Sequence, residues 1–310
     1  MAAVLKGAKH KQLTYQPRPQ PPLLPPPPQP PAPPLAVVLF DIDGVIRDVG
    51  GSYRRAVVET VHHYGGWRPE PAAIDALKGE GRWNNDWLAS LELLRRGGVA
   101  PLPALDALVE VFGRFYFGGD PNGDPALWRG FIGDEPLLVE AGFFTALGEA
   151  GLAWGFVSGA EPQSARYVLE QRLGLASPPC IAMGDAPDKP DPTGLLHLAR
   201  TLLAPHGLAL GPTAPPVVYV GDTVADVQTV QQARAAVPQQ RYLALAIAPP
   251  HLHAPPCRQE RNAYEAQLRR AGADGILGRT ADLRPGGPAD LLQALAGASA
   301  ALSAPSPPAP

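Results

Sequence analysis

Apolar positions along this chain follow two rhythms. The first is a short, unbroken apolar run, seen at Leu35 to Phe40, Leu152 to Ser158, Cys180 to Met183, Pro216 to Gly221 and Tyr242 to Ala248. Runs of this length predict strands covered on both faces. The second is a helical spacing, present in Pro162 to Leu173 and Thr193 to Leu203 between the later runs. Strand–helix–strand alternation predicts an α/β fold, a parallel sheet with helices on both sides.

The stretch from Ser52 to about Glu140 breaks this alternation. Tyr53, Ala56, Val57, Thr60, Val61 and Tyr64 share a helical face; Leu88, Leu91, Leu93 and Leu94 follow the same period, and Pro103 to Phe117 is also amphipathic. No strand pattern occurs there. Residues 52–139 therefore read as a helical domain inserted after the first strand, leaving 35–51 and 140–298 as the core.

Composition adds the two ends. The chain has 310 residues and 40 prolines, of which 12 fall within the 18 residues Pro17 to Pro34 and four more within Ser303 to Pro310. Proline lacks a backbone donor and favours an extended, solvated helix. Residues 1–34 are expected to form a disordered leader and 299–310 a disordered tail. The leader offers a ligand for a proline-recognising partner, although such a composition also arises by drift.

Charge and cysteine content exclude several classes. A net charge of -3 argues against a nucleic-acid partner. Two cysteines, Cys180 and Cys257, cannot build a disulfide framework. The apolar runs are too short to span a membrane, and no apolar segment follows Lys6, Lys9 and Lys11 as in a secretory signal. A cytoplasmic protein is expected.

Ligands of such sheets bind beyond the carboxyl ends of the strands. The first strand ends Asp41-Ile42-Asp43-Gly44 and the second Ser158-Gly159; Lys189-Pro190 follows the third, and Gly221-Asp222-Thr223 ends the fourth, with Asp226 after it. Clustered carboxylates repel unless a cation or proton intervenes, and an all-oxygen set suits Mg²⁺. Lys189 and the Ser158 hydroxyl would contact a phosphate in the same place, and Ser158-Gly159 is expected to open a helix whose free N–H groups favour an anion. Phosphoryl transfer fits these parts: Asp41 attacks phosphorus, and Asp43, two residues along an extended chain, protonates the leaving alcohol and later activates water.

These motifs, Asp41-Ile42-Asp43-Gly44-Val45-Ile46, Ser158-Gly159, Lys189-Pro190 and Gly221-Asp222-Thr223-Val224-Ala225-Asp226, resemble in order the four motifs of the haloacid dehalogenase superfamily. The resemblance runs from about Leu35 to Leu283. It implies a Rossmann-like, doubly wound core. It also implies Mg²⁺ held by Asp41, the Asp43 carbonyl and Asp222, with Asp226 orienting the metal shell. An acid at position 43 is similar to the phosphatases and phosphomutases of the superfamily. A helical cap between the first two motifs resembles subfamily I, which includes phosphoglycolate phosphatases. The expected activity is hydrolysis of a small phosphorylated metabolite. A phosphomutase is the alternative, and a non-catalytic protein recruited through its leader is the alternative of another class.

The remaining candidates are less specific. Arg82, Asn84 and Asn85 lie in a cap loop, Gly81 to Trp87, which resembles that of a small subfamily I group; they offer contacts to the non-phosphate end of a substrate, as Gly159 does to the phosphate. Asn84-Asn85-Asp86 equally suits a helix cap near Trp87. Arg47 and Asp48 follow the first motif, where substrate contact is an option. His251, His253 and Cys257 lack an evident fourth ligand for zinc and sit among prolines, which favours a plain loop. The chain has five lysines, and outside the leader only Lys78 and Lys189, so a lysine among so many arginines points to a chemical requirement at position 189.

Overall fold

The computed structural model describes residues 31–83, 85–284 and 286. The leader expected over 1–34 falls outside the described residues up to residue 30, and the tail expected over 299–310 lies wholly outside them. Among the described residues no helix is long and apolar enough to cross a membrane.

The chain starts with β1 (Ala36–Phe40) and then leaves the sheet for the insert, α1 (Tyr53–Gly65), α2 (Pro71–Lys78), α3 (Asp86–Arg96) and α4 (Leu105–Tyr116). It returns through α5 (Ala141–Glu149), β2 (Leu152–Val157) and α6 (Pro162–Arg166), then β3 (Cys180–Ile181) and α7 (Thr193–Leu203). The last part is β4 (Val217–Gly221), α8 (Val224–Ala236), β5 (Tyr242–Ile247), α9 (Arg258–Ala271) and β6 (Gly275–Leu277). All pairings are parallel, in the order β3-β2-β1-β4-β5-β6.

Each predicted apolar run is a strand, trimmed at one end or, for β3, reduced to a pair of residues. β6 had no counterpart in the pattern, because Gly275-Ile276-Leu277 is too short to display a period. The predicted helix Pro162 to Leu173 is α-helical only to Arg166 and widens to a π-helix over Tyr167–Arg172. Its first turn starts at Pro162 after Glu161, so Ser158 and Gly159 lie in the approach loop and do not open the helix.

β1 shows why the runs are continuous. Ala36, Val38 and Phe40 point into one core, and Val37 and Leu39 into the other. A strand buried on both faces has no solvent side on which to place polar residues. The first core receives α5 and the helix after β2, and the second receives α7, α8 and α9. The insert has a third core of its own, built around Tyr53, Val57, Leu94, Phe112 and Ile132.

The two chain crossings between sheet and insert run side by side. Asp48 N–H donates to the Pro136 carbonyl at 2.8 Å, and Leu138 N–H donates to the Ile46 carbonyl at 2.8 Å. Arg47 lies antiparallel to Leu137 between them. This zip sets the insert directly over the carboxyl end of β1.

Candidate active site

β1 delivers Asp41 to the sheet edge, and the chain then turns sharply. The N–H groups of Ile46 and Arg47 both donate to the Ile42 carbonyl, at 2.8 and 3.1 Å. Gly44 has φ +74, and a Cβ there would overlap the Asp222 carboxylate. Only glycine allows both the left-handed turn and that close approach.

Asp226 comes from the first turn of α8. Its Oδ2 accepts from the Thr223 N–H at 2.9 Å and the Thr223 hydroxyl at 2.6 Å, while its own N–H donates to Thr223 Oγ1 at 3.3 Å. This is a reciprocal capping box. Its Oδ1 accepts from Lys189 Nζ at 2.5 Å. Lys189 Nζ also lies 3.0 Å from Asp41 Oδ2 and donates to the Tyr219 hydroxyl at 3.0 Å. The Tyr219 hydroxyl in turn donates to the Val157 carbonyl at 2.7 Å.

Burial and charge oppose each other here. Burial would neutralise Lys189, but Asp226 and Asp41 outweigh it and hold the ammonium well above its ordinary range. Burial likewise works against ionised Asp226, yet Lys189 and Thr223 keep its carboxyl low. Asp41 is pushed up to about 6, by burial first, with Lys189 opposing and Asp226 and Asp43 adding to the rise. Asp222 lies well above the carboxylate range, through burial and then repulsion from Asp226 and Asp41.

That repulsion is a test of whether Mg²⁺ fits. Asp41, Asp222 and Asp226 each offer an oxygen within 4.8 Å of the others. Asp226 is held by Lys189 and Thr223 and is not among the residues lining the cleft, whereas Asp41 and Asp222 line it and are the available ligands. An all-oxygen pair with excess negative charge suits a hard divalent cation, which would relieve what Lys189 leaves uncompensated.

Asp43 faces the same cleft but is tied behind. Its Oδ1 accepts from Arg47 Nε at 2.7 Å, and Arg47 Nη1 donates to Glu135 Oε2 at 2.9 Å. Arg47 is fully buried, which removes it as a direct substrate contact. Burial works against its charge, but Asp43 and Glu135 hold its pKa well above the ordinary value. No local signal in the sequence marks Glu135, because 88 residues separate it from Arg47.

A polar cleft joins sheet edge and insert. Asp41, Asp43, Ser158, Gly159 and Asp222 line the sheet side, and Tyr53, Arg54, Lys78 and Asp86 the insert side. The Ser158 hydroxyl sits beside Asp41 and helps to hold its carboxyl down, as the smallest of the influences on it. Lys189 reaches Asp41 from behind and lines a smaller neighbouring cavity with Ser158 and Gly159. Within the cap loop region the cleft is lined by Lys78 and Asp86, which pair at 2.7 Å. Arg82 is exposed, pairs with Glu80 and is not among the residues lining the cleft. Asn85 Oδ1 caps α3 by accepting from the Trp87 and Leu88 N–H groups at 3.0 and 3.1 Å. Asn84 lies outside the described residues.

The proline-flanked histidines serve structure. His251 Nε2 lies 2.9 Å from Asp75 of α2, and His253 Nε2 lies 2.9 Å from the Ala248 carbonyl. Neither takes part in a cluster with metal-ligand geometry among the described residues.

Comparison with known proteins agrees with this geometry. The family model described as haloacid dehalogenase-like hydrolase matches residues 35–234. A curated protein from Phytophthora nicotianae named imidazoleglycerol-phosphate dehydratase is 28% identical over 265 residues, 82% of this chain. The chain spans about half of that relative, 54% of its length. A phosphonoacetaldehyde hydrolase like protein from Oleispira antarctica aligns with a TM-score of 0.58 and 13% identity, over 91% of this chain and 100% of that one. A hydrolase from Pseudomonas syringae aligns with a TM-score of 0.56 and 15% identity, over 80% and 95%. A predicted phosphoglycolate phosphatase from Haemophilus somnus aligns with a TM-score of 0.55 and 14% identity, over 80% and 95%. At these identities the structures share the fold.

Proposed function

Since the chain belongs to the haloacid dehalogenase-like hydrolases, we propose that it hydrolyses a small phosphate monoester through a phosphorylated Asp41, with Mg²⁺ as cofactor. One observation carries this reading. Asp41 is buried at the strand edge 3.0 Å from Lys189 Nζ, lines the same cleft as Ser158 and is adjacent to the Asp222 carboxylate.

When bound by Asp41 and Asp222, with the Asp43 carbonyl as a further ligand, Mg²⁺ supplies the positive charge that lets a phosphate approach three carboxylates. The protein's own groups do the rest. An Asp41 oxygen attacks phosphorus as the bond to the ester oxygen breaks, and Asp43 gives that oxygen a proton, so the alcohol leaves neutral. Water then attacks the same phosphorus and gives its proton to Asp43. The bond from Asp41 to phosphorus breaks, inorganic phosphate leaves, and both aspartates are restored. Lys189, fixed by Asp226, keeps a positive charge against Asp41 throughout. Ser158 and Gly159 hold the phosphate oxygens.

In this reading 52–139 is the cap over a core of 35–51 and 140–298. Tyr53, Arg54, Lys78 and Asp86 meet the non-phosphate end of the substrate and shut out water when the cleft closes. A phosphomutase would need a second anion site on the cap. The cap's cations at the cleft are already paired, Lys78 with Asp86 and Arg54 with Asp75, which favours the hydrolase.

A panel of phosphorylated metabolites, with Mg²⁺ and with chelator, tests the assignment. It includes phosphoglycolate and, on account of the curated relative's name, imidazole-bearing glycerol phosphates. Asp41→Asn is expected to lower turnover by about 1,000-fold or more while leaving the fold intact. Undiminished hydrolysis in that variant overturns the mechanism.

A further inference from the structure

The deepest charge outside the metal-binding edge is the Arg47 guanidinium. It is fully buried, with Glu135 at 2% exposure beside it. Its two engaged nitrogens serve different carboxylates, Nε to Asp43 at 2.7 Å and Nη1 to Glu135 at 2.9 Å. Glu135 is itself pinned by the Ser52 hydroxyl at 2.5 Å and the Tyr116 hydroxyl at 3.2 Å. Tyr116 in turn bonds to Ser164 at 2.7 Å. The chain of contacts therefore draws on both crossing segments, helix α4 of the insert and helix α6 of the core. It ends on Asp43, which faces the cleft with 22% of its side chain exposed.

A buried ion bridge of this kind carries a desolvation penalty, and replacement by apolar residues is often neutral or stabilising. Stability alone is a poor reason to keep it. The planar fork, however, fixes the direction of both carboxylates, which a lysine point charge cannot do. We propose that Arg47 is a positioning residue for Asp43: its bridge to Glu135 sets the direction of the general acid's carboxyl against the two segments that carry the insert. The inference rests on the phosphatase reading above. Misalignment of an acid by a fraction of its hydrogen-bond reach removes its effect on the leaving group without disturbing the nucleophile.

The test compares an alkyl phosphate from the panel with p-nitrophenyl phosphate, whose phenolate leaves without a proton. The value kcat/KM reports only the steps through departure of the leaving group, so it isolates Asp43 as acid from Asp43 as base. Arg47→Met is expected to lower the alkyl-to-aryl ratio of kcat/KM by about 100-fold, and Arg47→Lys by less. In an Asp43→Asn background, Arg47→Met should leave that ratio where Asp43→Asn put it. Equal losses on both esters, or an undiminished further fall without Asp43, overturn the proposal. Should Arg47→Met not fold, Glu135→Gln decides, since it retains the Ser52 and Tyr116 contacts but loses the charge anchoring Arg47. It is expected to lower the ratio about 10-fold, and an unchanged ratio overturns the proposal. Wild-type protein that hydrolyses neither ester in Mg²⁺ is a distinct result; it removes the phosphatase reading and this proposal with it.

Discussion

Glu161 carries a carboxyl displaced far toward neutral pH. It precedes α6, and its carboxyl accepts from the Tyr53 hydroxyl of the insert at 3.3 Å. Burial pushes it from 4.5 up to about 7; the Tyr53 bond and Arg47 oppose the rise, and Asp43 adds to it. A raised carboxyl favours the folded state while protonated. Its contribution is complete below pH 4.5, fades as pH rises through about 7, and is on the order of 3 kcal/mol at most. Glu161→Gln never ionises and keeps a partner for Tyr53. Thermal melts from about pH 5 to about pH 8 should show wild type losing more stability than the variant. Parallel curves would exclude this role. Asp41, Ser158, Lys189 and Asp222 were readable at this scale because each ends or follows a strand, and the sheet brings strand ends together. The pairing of Arg47 with Glu135 was not, because no local period links positions 88 apart.

At the scale of elements, period-two burial explains most of the agreement between pattern and structure. β1 and β4 alternate between two cores, so their apolar runs are unbroken and readable. β6 is a three-residue strand held by pairing with β5, a tertiary contact that leaves no trace in its own residues. The change from α- to π-helix at Tyr167 is equally silent, since the apolar spacing continues through it. The contact of α5 with the sheet rests on aromatic edges: Phe144 meets Phe40 at 5.9 Å and Phe156 at 5.3 Å between ring centroids. Phe144 is 1% exposed, so Phe144→Ala opens a cavity that the sheet cannot collapse. Chemical denaturation should show a loss of about 3–5 kcal/mol. A loss below about 1 kcal/mol would mean that α5 repacks, contrary to this account.

For the molecule as a whole, the proposed Mg²⁺ site ties the stability of the folded state to a cation. Mg²⁺ at about 100 times its Kd stabilises by about 2.7 kcal/mol, a rise of about 5 °C or more in melting temperature for a domain of this size. The rise should shrink toward acid pH, where protons compete for Asp41 and Asp222, and should vanish in Asp222→Asn. An equal shift in that variant would place the cation elsewhere. The helical character of the insert was legible from its apolar spacing. Which of its residues reach the cleft was not: Lys78 and Asp86 sit there, while Arg82 and Asn85, between them in sequence, turn to Glu80 and to the helix end.

The side-by-side crossings have an architectural corollary. Because Asp48 and Pro136 are hydrogen-bonded neighbours, the insert leaves and re-enters through a single doorway, and its apolar interior is built from its own helices, with Tyr167 of the core packed against it. Nothing in the strand order depends on what is hung between those two positions. On the proposed reading the sheet is a chassis and the insert a module, and a graft at this doorway that keeps the contacts between them is expected to change what is recognised and leave the reacting groups in register. Arg47 to Glu135 crosses the cut beside Tyr53 to Glu161, Tyr116 to Ser164 and Asp75 to His251, and a graft that begins or ends inside the Arg47–Glu135 pair severs the proposed acid from its support.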